Sequence, residues 1–128
     1  VKQGRVYFPP VTLPPGQSTD HRIIILSSDL VINRISSNQF LVCAIIRSAV
    51  NQEGRKVGMV PGHTIPVFPS DFKSSTGMSV ILHDSLVETH QLFHIAKQDL
   101  SRPLVRALGD LNPNKLQAVL SGAKMLLS

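Results

Sequence analysis

Two arginines at the ends of apolar runs give this chain its most concrete chemistry. Arg22 opens the run Ile23-Ile24-Ile25-Leu26, and Arg47 with Ser48 closes Phe40–Ile46 (FLVCAII). Uninterrupted apolar runs of this length read as strands covered on both faces. If the two strands pair antiparallel, both guanidiniums reach one edge of the sheet. There they hold a scissile phosphate and stabilise the charge that develops on phosphorus. Cleaving RNA by attack of its own 2′-hydroxyl then needs only positioning, a base and an acid. His21 is the nearest proton carrier. On spacing alone, two solvated strand-end arginines account for the same pattern, and that plainer reading outweighs the catalytic one.

Other chemistries find less support. His90 and His94 are four apart, which on a helix would put both on one face at metal-ligand spacing, with His83, Asp84 and Glu88 as further ligands. Without a helix the spacing loses that meaning. A nucleophilic serine has no Gly-x-Ser-x-Gly turn to present it. Neither a Walker glycine pattern nor a dinucleotide fingerprint occurs. Glu53 and Glu88 are the only glutamates, which leaves no case for a glycosidase-type carboxylate pair. The single cysteine, Cys43, cannot form an intramolecular disulfide and points to a reducing compartment.

The elements that must position these residues are mostly short strands. Arg5–Phe8 is a brief strand stopped by Pro9-Pro10, and Val11–His21 reads as a loop rich in proline and polar residues. After the Arg22–Leu26 strand, Ser27-Ser28-Asp29 can cap a helical turn over Leu30–Ile35. Asn51–Gly62 is polar and glycine-bearing and reads as a mobile loop. Thr64–Pro69 holds two prolines and belongs on a sheet edge. Ser79–Leu82 reads as a strand, His83–Ile95 as strand or helix, and Arg102–Leu108 as a short helix begun by Asp99 and Ser101. Asn112-Pro113 is a cap followed by proline at the first helical position. Leu116, Val119, Leu120, Ala123, Leu126 and Leu127 then share one helical face. Strands that follow one another without regular intervening helices predict a mainly β, α+β fold: a small antiparallel barrel with the C-terminal helix beside it.

Length and composition agree with a single domain spanning residues 1–128. The chain has 42% hydrophobic residues and a mean hydropathy of +0.12, which excludes a disordered polyelectrolyte. No apolar run approaches the length of a membrane span, and no signal peptide is expected from the opening residues. Thirteen Lys and Arg against eight Asp and Glu give a formal net charge of +5. That balance suits an anionic partner, nucleic acid first, although the charge is scattered along the chain rather than gathered in a run. With no Trp, one Tyr and five Phe, an extended stacking platform is not expected.

The order of these segments resembles the MazF/PemK/Kid family of type II toxin–antitoxin toxins, with its CcdB/PemK-like fold. Gln3-Gly4-Arg5-Val6-Tyr7-Phe8 is similar to the family's opening strand. Pro9–Gly16 leading to His21-Arg22-Ile23-Ile24-Ile25-Leu26 matches its loop and arginine-headed strand. Asn33-Arg34, Ile46-Arg47-Ser48, Ser79-Val80-Ile81-Leu82-His83-Asp84 and the amphipathic segment Asn112–Leu127 follow in the family's order. The resemblance implies an SH3-like barrel and a cytoplasmic homodimer restrained by a cognate antitoxin. It also implies a growth-inhibiting endoribonuclease (an mRNA interferase) that cleaves single-stranded mRNA through a 2′,3′-cyclic phosphate, with no metal or cofactor. Carried onto this chain, Arg22, Arg47, Ser48, His21 and His90 are the catalytic candidates. Gln17, Arg55, Lys56 and Glu88 are the RNA-binding ones. The chain departs from the family at three places. The first loop, Gln17-Ser18-Thr19-Asp20, lacks a glutamate; Arg47 stands at a threonine position; Val87 and His90 stand where Kid-like members carry an arginine and an aspartate. Those departures leave a second reading open, a non-catalytic toxin of the same fold that acts by binding a protein, as CcdB acts on gyrase.

Overall fold

The computed structural model describes residues 1–8, 11–13, 17–19, 21–49 and 64–125, with backbone alone at 11–13, 17–19 and 125. The polar segment 51–62 and residues Leu126 and Leu127 therefore lie outside the described residues. The fold is mainly β: a curled, half-barrel antiparallel sheet of seven strands with a C-terminal helix, as the strand-rich pattern predicts. In chain order the strands are β1 (Arg5–Phe8), β2 (Val11–Leu13), β3 (Gln17–Thr19), β4 (Arg22–Ile25), β5 (Phe40–Ser48), β6 (Thr64–Val67), β7 (Phe72–Ser74), β8 (Ser85–Ala96) and β9 (Arg106–Leu111). Helix α1 (Asp29–Arg34) lies between β4 and β5, and α2 (Pro113–Met125) ends the described chain. The main sheet has the order β6-β8-β5-β4-β1-β9-β7, while β2 and β3 form a separate hairpin.

The sheet is buried on both faces, and this accounts for the apolar runs. Along β4, Ile24 enters a core with Val6, Ala44, Ile46, Val87 and, from α2, Val119 and Ala123. Ile23 and Ile25 point the other way, into a core with Tyr7, Cys43, Phe93, Ile32 of α1 and Leu100. Ile23, Ile24 and Ile25 are all 0% exposed. Such a strand has no solvent face, so alternation vanishes from its sequence. Cys43 sits inside the second core, where burial pushes its thiol up to about 12 and keeps it protonated. The two edges are blunted in familiar ways: β6 carries Pro66, which has no N–H to offer, and β7 has three residues.

Both capped helices form where the sequence signals them. Ser28 Oγ accepts from Val31 N at the start of α1, and Asn112 Oδ1 accepts from Lys115 N at the start of α2. Three expectations fail. The stretch read as one loop before β4 holds the β2–β3 hairpin. Ser79–Leu82 is not a strand: Val80 and Ile81, adjacent in sequence, both enter the α2-side core, which the alternating faces of a strand forbid. A bend there lets Val80 fill the space over Gly109, where a Cβ would collide with the Val80 side chain and with Lys73 O. Arg102–Leu108 is not a helix either. Asp99 and Ser101 lie in a 3-10 turn over Lys97–Ser101, and the chain then enters β9, paired to β1. The ambiguous segment after His83 resolves as β8, a twelve-residue strand held by β5 on one side and β6 on the other.

Candidate functional site

Arg22 is the first residue of β4, and β4 pairs antiparallel with β5, as the arrangement of strand ends requires. The register sets Arg22 opposite Ile46, Ile46 opposite Val87, and Val87 opposite Ile65. Directly opposed residues share a face, and successive ones alternate. Arg22 therefore belongs to the face that carries α2, while Arg47, one residue past Ile46, belongs to the opposite face. The two arginines lie at the same end of the sheet, but the joint clamp expected of them is divided by the sheet itself.

Each arginine has its own surroundings. Arg47 pairs with Leu86 across the β5–β8 ladder, and Glu88 is the diagonal neighbour on the same face. Arg47 Nε lies 2.7 Å from Glu88 Oε1, at ion-pair distance although the N–H is bent away from the oxygen. Glu88 is 8% exposed, so its carboxylate relies on this cation. Arg22, by contrast, lies with its guanidinium carbon 4.5 Å from the centroid of the Phe8 ring. The β1–β4 register opposes Val6 to Ile24 and Tyr7 to Ile23, and its next step brings Phe8 to Arg22. Desolvation lowers the pKa of Arg22, and its Nε is buried with no hydrogen-bond partner among the described residues. A half-buried cation with no carboxylate paired to it among the described residues has room for an external anion.

His90 lies in a distorted part of β8. Ala44 faces Leu92 and Ile46 faces Val87, so two steps along β5 are matched by five along β8. The segment Glu88 to Gln91 thus sets four residues against the single Ile45 and forms a bulge, a device that re-aims side chains and often borders functional sites. His90 Nδ1 is buried there and lacks a hydrogen-bond partner among the described residues. Thr89, on the α2 side, is fully buried and packs against Gly122, where an added Cβ would lie 2.7 Å from Thr89 Oγ1.

The remaining sequence candidates fall in different places. His21 is exposed and precedes Arg22 directly. Ser48 pairs with Ser85 at the end of β5. Gln17 begins β3, where only backbone is described, and Arg55 and Lys56 lie outside the described residues. His90 and His94 share a strand rather than a helical face, and among the described residues no three His, Cys, Asp or Glu side chains gather as a metal site would require. Val87, which the sequence resemblance sets at an arginine position, is 0% exposed and part of the core. Phe8 was not singled out by sequence; the aromatic residue that closes β1 just before Pro9-Pro10 was its only signal. No helix among the described residues is long and apolar enough to cross a membrane. Neither a scan against protein-family models nor a search of curated proteins gives a match to this chain.

Proposed function

We propose that this chain is a growth-inhibiting toxin of the type II toxin–antitoxin class that cleaves single-stranded mRNA without a metal ion. The observation that carries the reading is Arg22: a half-buried guanidinium stacked on Phe8, with no carboxylate partner among the described residues. A phosphodiester supplies the missing charge and hydrogen-bond acceptors. The order of sequence segments and the curled sheet with its C-terminal helix support the same class. In this reading the protein works in the cytoplasm as a homodimer held in check by a cognate antitoxin.

The chemistry follows from the substrate. The ribose 2′-oxygen attacks the adjacent phosphorus while a base takes its proton; the bond from phosphorus to the 5′-oxygen breaks, and an acid protonates that oxygen. A 2′,3′-cyclic phosphate and a free 5′-hydroxyl result. Arg22 holds the phosphate and stabilises its transition-state charge. His21, next to it in the chain, and His90, in the β8 bulge, are the proton carriers. Arg47 is engaged by Glu88, so its part is indirect, through the shape of the strand end that also carries Ser48.

Purified protein incubated with a long RNA in EDTA is expected to give discrete fragments with cyclic phosphate ends, and Arg22→Ala to lose at least a hundredfold in rate, roughly the scale of a lost oxyanion-type contact. Intact RNA with wild-type protein, or equal cleavage by Arg22→Ala, overturns the reading. The Arg47–Glu88 ion pair and the buried Val87 favour one alternative, a toxin of the same fold that arrests growth by binding a protein target. Growth arrest that persists in Arg22→Ala cells identifies that case.

A further inference from the structure

The ladder that carries Arg22 continues on its other side. Phe8 is opposed to Arg106 at the start of β9, so Arg106, Phe8 and Arg22 stand in one row across β9, β1 and β4 and share the α2-side face. The row ends are about 10 Å apart, two strand spacings. Arg106 is exposed and has no ion pair among the described residues. The other end of the same two strands is built differently. There Arg5 Nε binds Asp110 Oδ1 at 3.0 Å, Lys2 approaches the same carboxylate, and the Asp110 bond raises the pKa of Arg5. One end of the β1–β9 pair thus has its cations neutralised, while the other presents two arginines around an aromatic ring with no acid paired to them among the described residues. Arg34, in the last turn of α1, is an exposed arginine of ordinary helix-end type and lies on another element.

We propose that Arg106, Phe8 and Arg22 form a binding row for single-stranded RNA, in which one base stacks on the Phe8–Arg22 pair and Arg106 holds a phosphate other than the scissile one. The inference rests on the RNA reading above and adds to it a base-stacking position and a second phosphate contact. An aromatic ring with a guanidinium beside it accepts any base by its π-face, but only when that base is free of a duplex. Base pairing blocks the row, so the strand must be unpaired at this point. Phe8 and Arg106 are positioning residues: they fix where the strand lies relative to Arg22 and do not act on the reacting atoms.

The test is fluorescence-anisotropy titration with an oligonucleotide that lacks 2′-hydroxyls and so cannot be cleaved, as single strand and as duplex, over a range of salt. Wild type is expected to bind the single strand more tightly than the duplex. Arg106→Gln should weaken single-strand binding and flatten the log affinity–log salt slope by about 0.7, the value for one phosphate contact on a single strand. Phe8→Leu should weaken binding roughly tenfold with the slope unchanged, and Phe8→Trp should restore it. Arg34→Gln, an equal loss of charge elsewhere, should leave affinity and slope at wild-type values. Unfolding midpoints of all variants confirm that the fold is intact. If Arg106→Gln and Phe8→Leu bind like wild type while Arg22→Ala does not, the row is refuted and the RNA reading stands. If wild type binds no RNA, both fall.

Discussion

Glu88 is buried at 8% exposure in the β8 bulge, and the only cation against it among the described residues is Arg47, 2.7 Å away. Sequence reading assigns both residues to the RNA, Arg47 because it closes an apolar strand and Glu88 through the family resemblance. The register assigns them to one another. Replacing Glu88 with Gln is therefore expected to lower stability by about 1 kcal/mol, well short of the ~3–5 kcal/mol of a fully buried pair, because Arg47 can turn toward water. The same change should raise RNA affinity roughly two- to fivefold by freeing a cation. Urea unfolding reads the first effect and titration with an uncleavable oligonucleotide the second. A fall in affinity would show instead that Glu88 touches the RNA directly. At this scale the position of Arg22 was legible, because a charged residue heading an all-apolar run marks the end of a buried strand. Its partner Phe8 was not, since it is fixed by the pairing of β1 with β4 across the length of the hairpin, which spacing does not reveal.

Elements were legible wherever their signals are local. Asn112 and Pro113 set the start of α2 by chemistry confined to a few residues, and the helix begins there. Ser79–Leu82 and Arg102–Leu108 were misread because their structure is dictated from a distance: Val80 is drawn over Gly109, and β9 is drawn onto β1. Tertiary pairing overrides propensity in short segments of this kind. The Asn112 cap also reaches beyond its own helix. Its Oδ1 accepts from Lys115 N at 2.8 Å, its Nδ2 donates to Asp71 Oδ1 at 3.2 Å, and its backbone N–H donates to Asp71 O at 2.8 Å. Asn112→Ala should cost about 1–2 kcal/mol by chemical denaturation, the upper range for a cap because a second side-chain bond is lost with it. Asn112→Ser keeps the cap and loses only the Asp71 contact, so it should recover at least half. Equal losses in the two variants would mean that the helix end contributes little and that the link to Asp71 dominates.

Across the whole molecule, one sheet separates two cores, and neighbouring residues of a single strand feed both. Ile23 enters the core under α1 and Ile24 the core under α2, each fully buried. Neither core can lose its share of β4 without displacing the other's, so the two should unfold together, as a single domain of this length generally does. The chain supplies a probe for each side. Tyr7, the only tyrosine, lies in the α1-side core, and the helical circular dichroism is dominated by α2, which packs on the opposite face. Ile23→Ala and Ile24→Ala should each cost roughly 2–5 kcal/mol, the range for deleting a buried aliphatic side chain. In both variants the tyrosine fluorescence and the helical signal are expected to share one urea midpoint, lowered by the same amount. If Ile23→Ala shifts the tyrosine transition and leaves the helical one in place, the cores are separate cooperative units. The candidate RNA row would then be anchored by the α2-side core alone, because Arg22 and Phe8 are on that face. A common midpoint means instead that damage to either core loosens the row, so that binding losses in core variants must be corrected for the fraction unfolded before any contact is assigned to RNA.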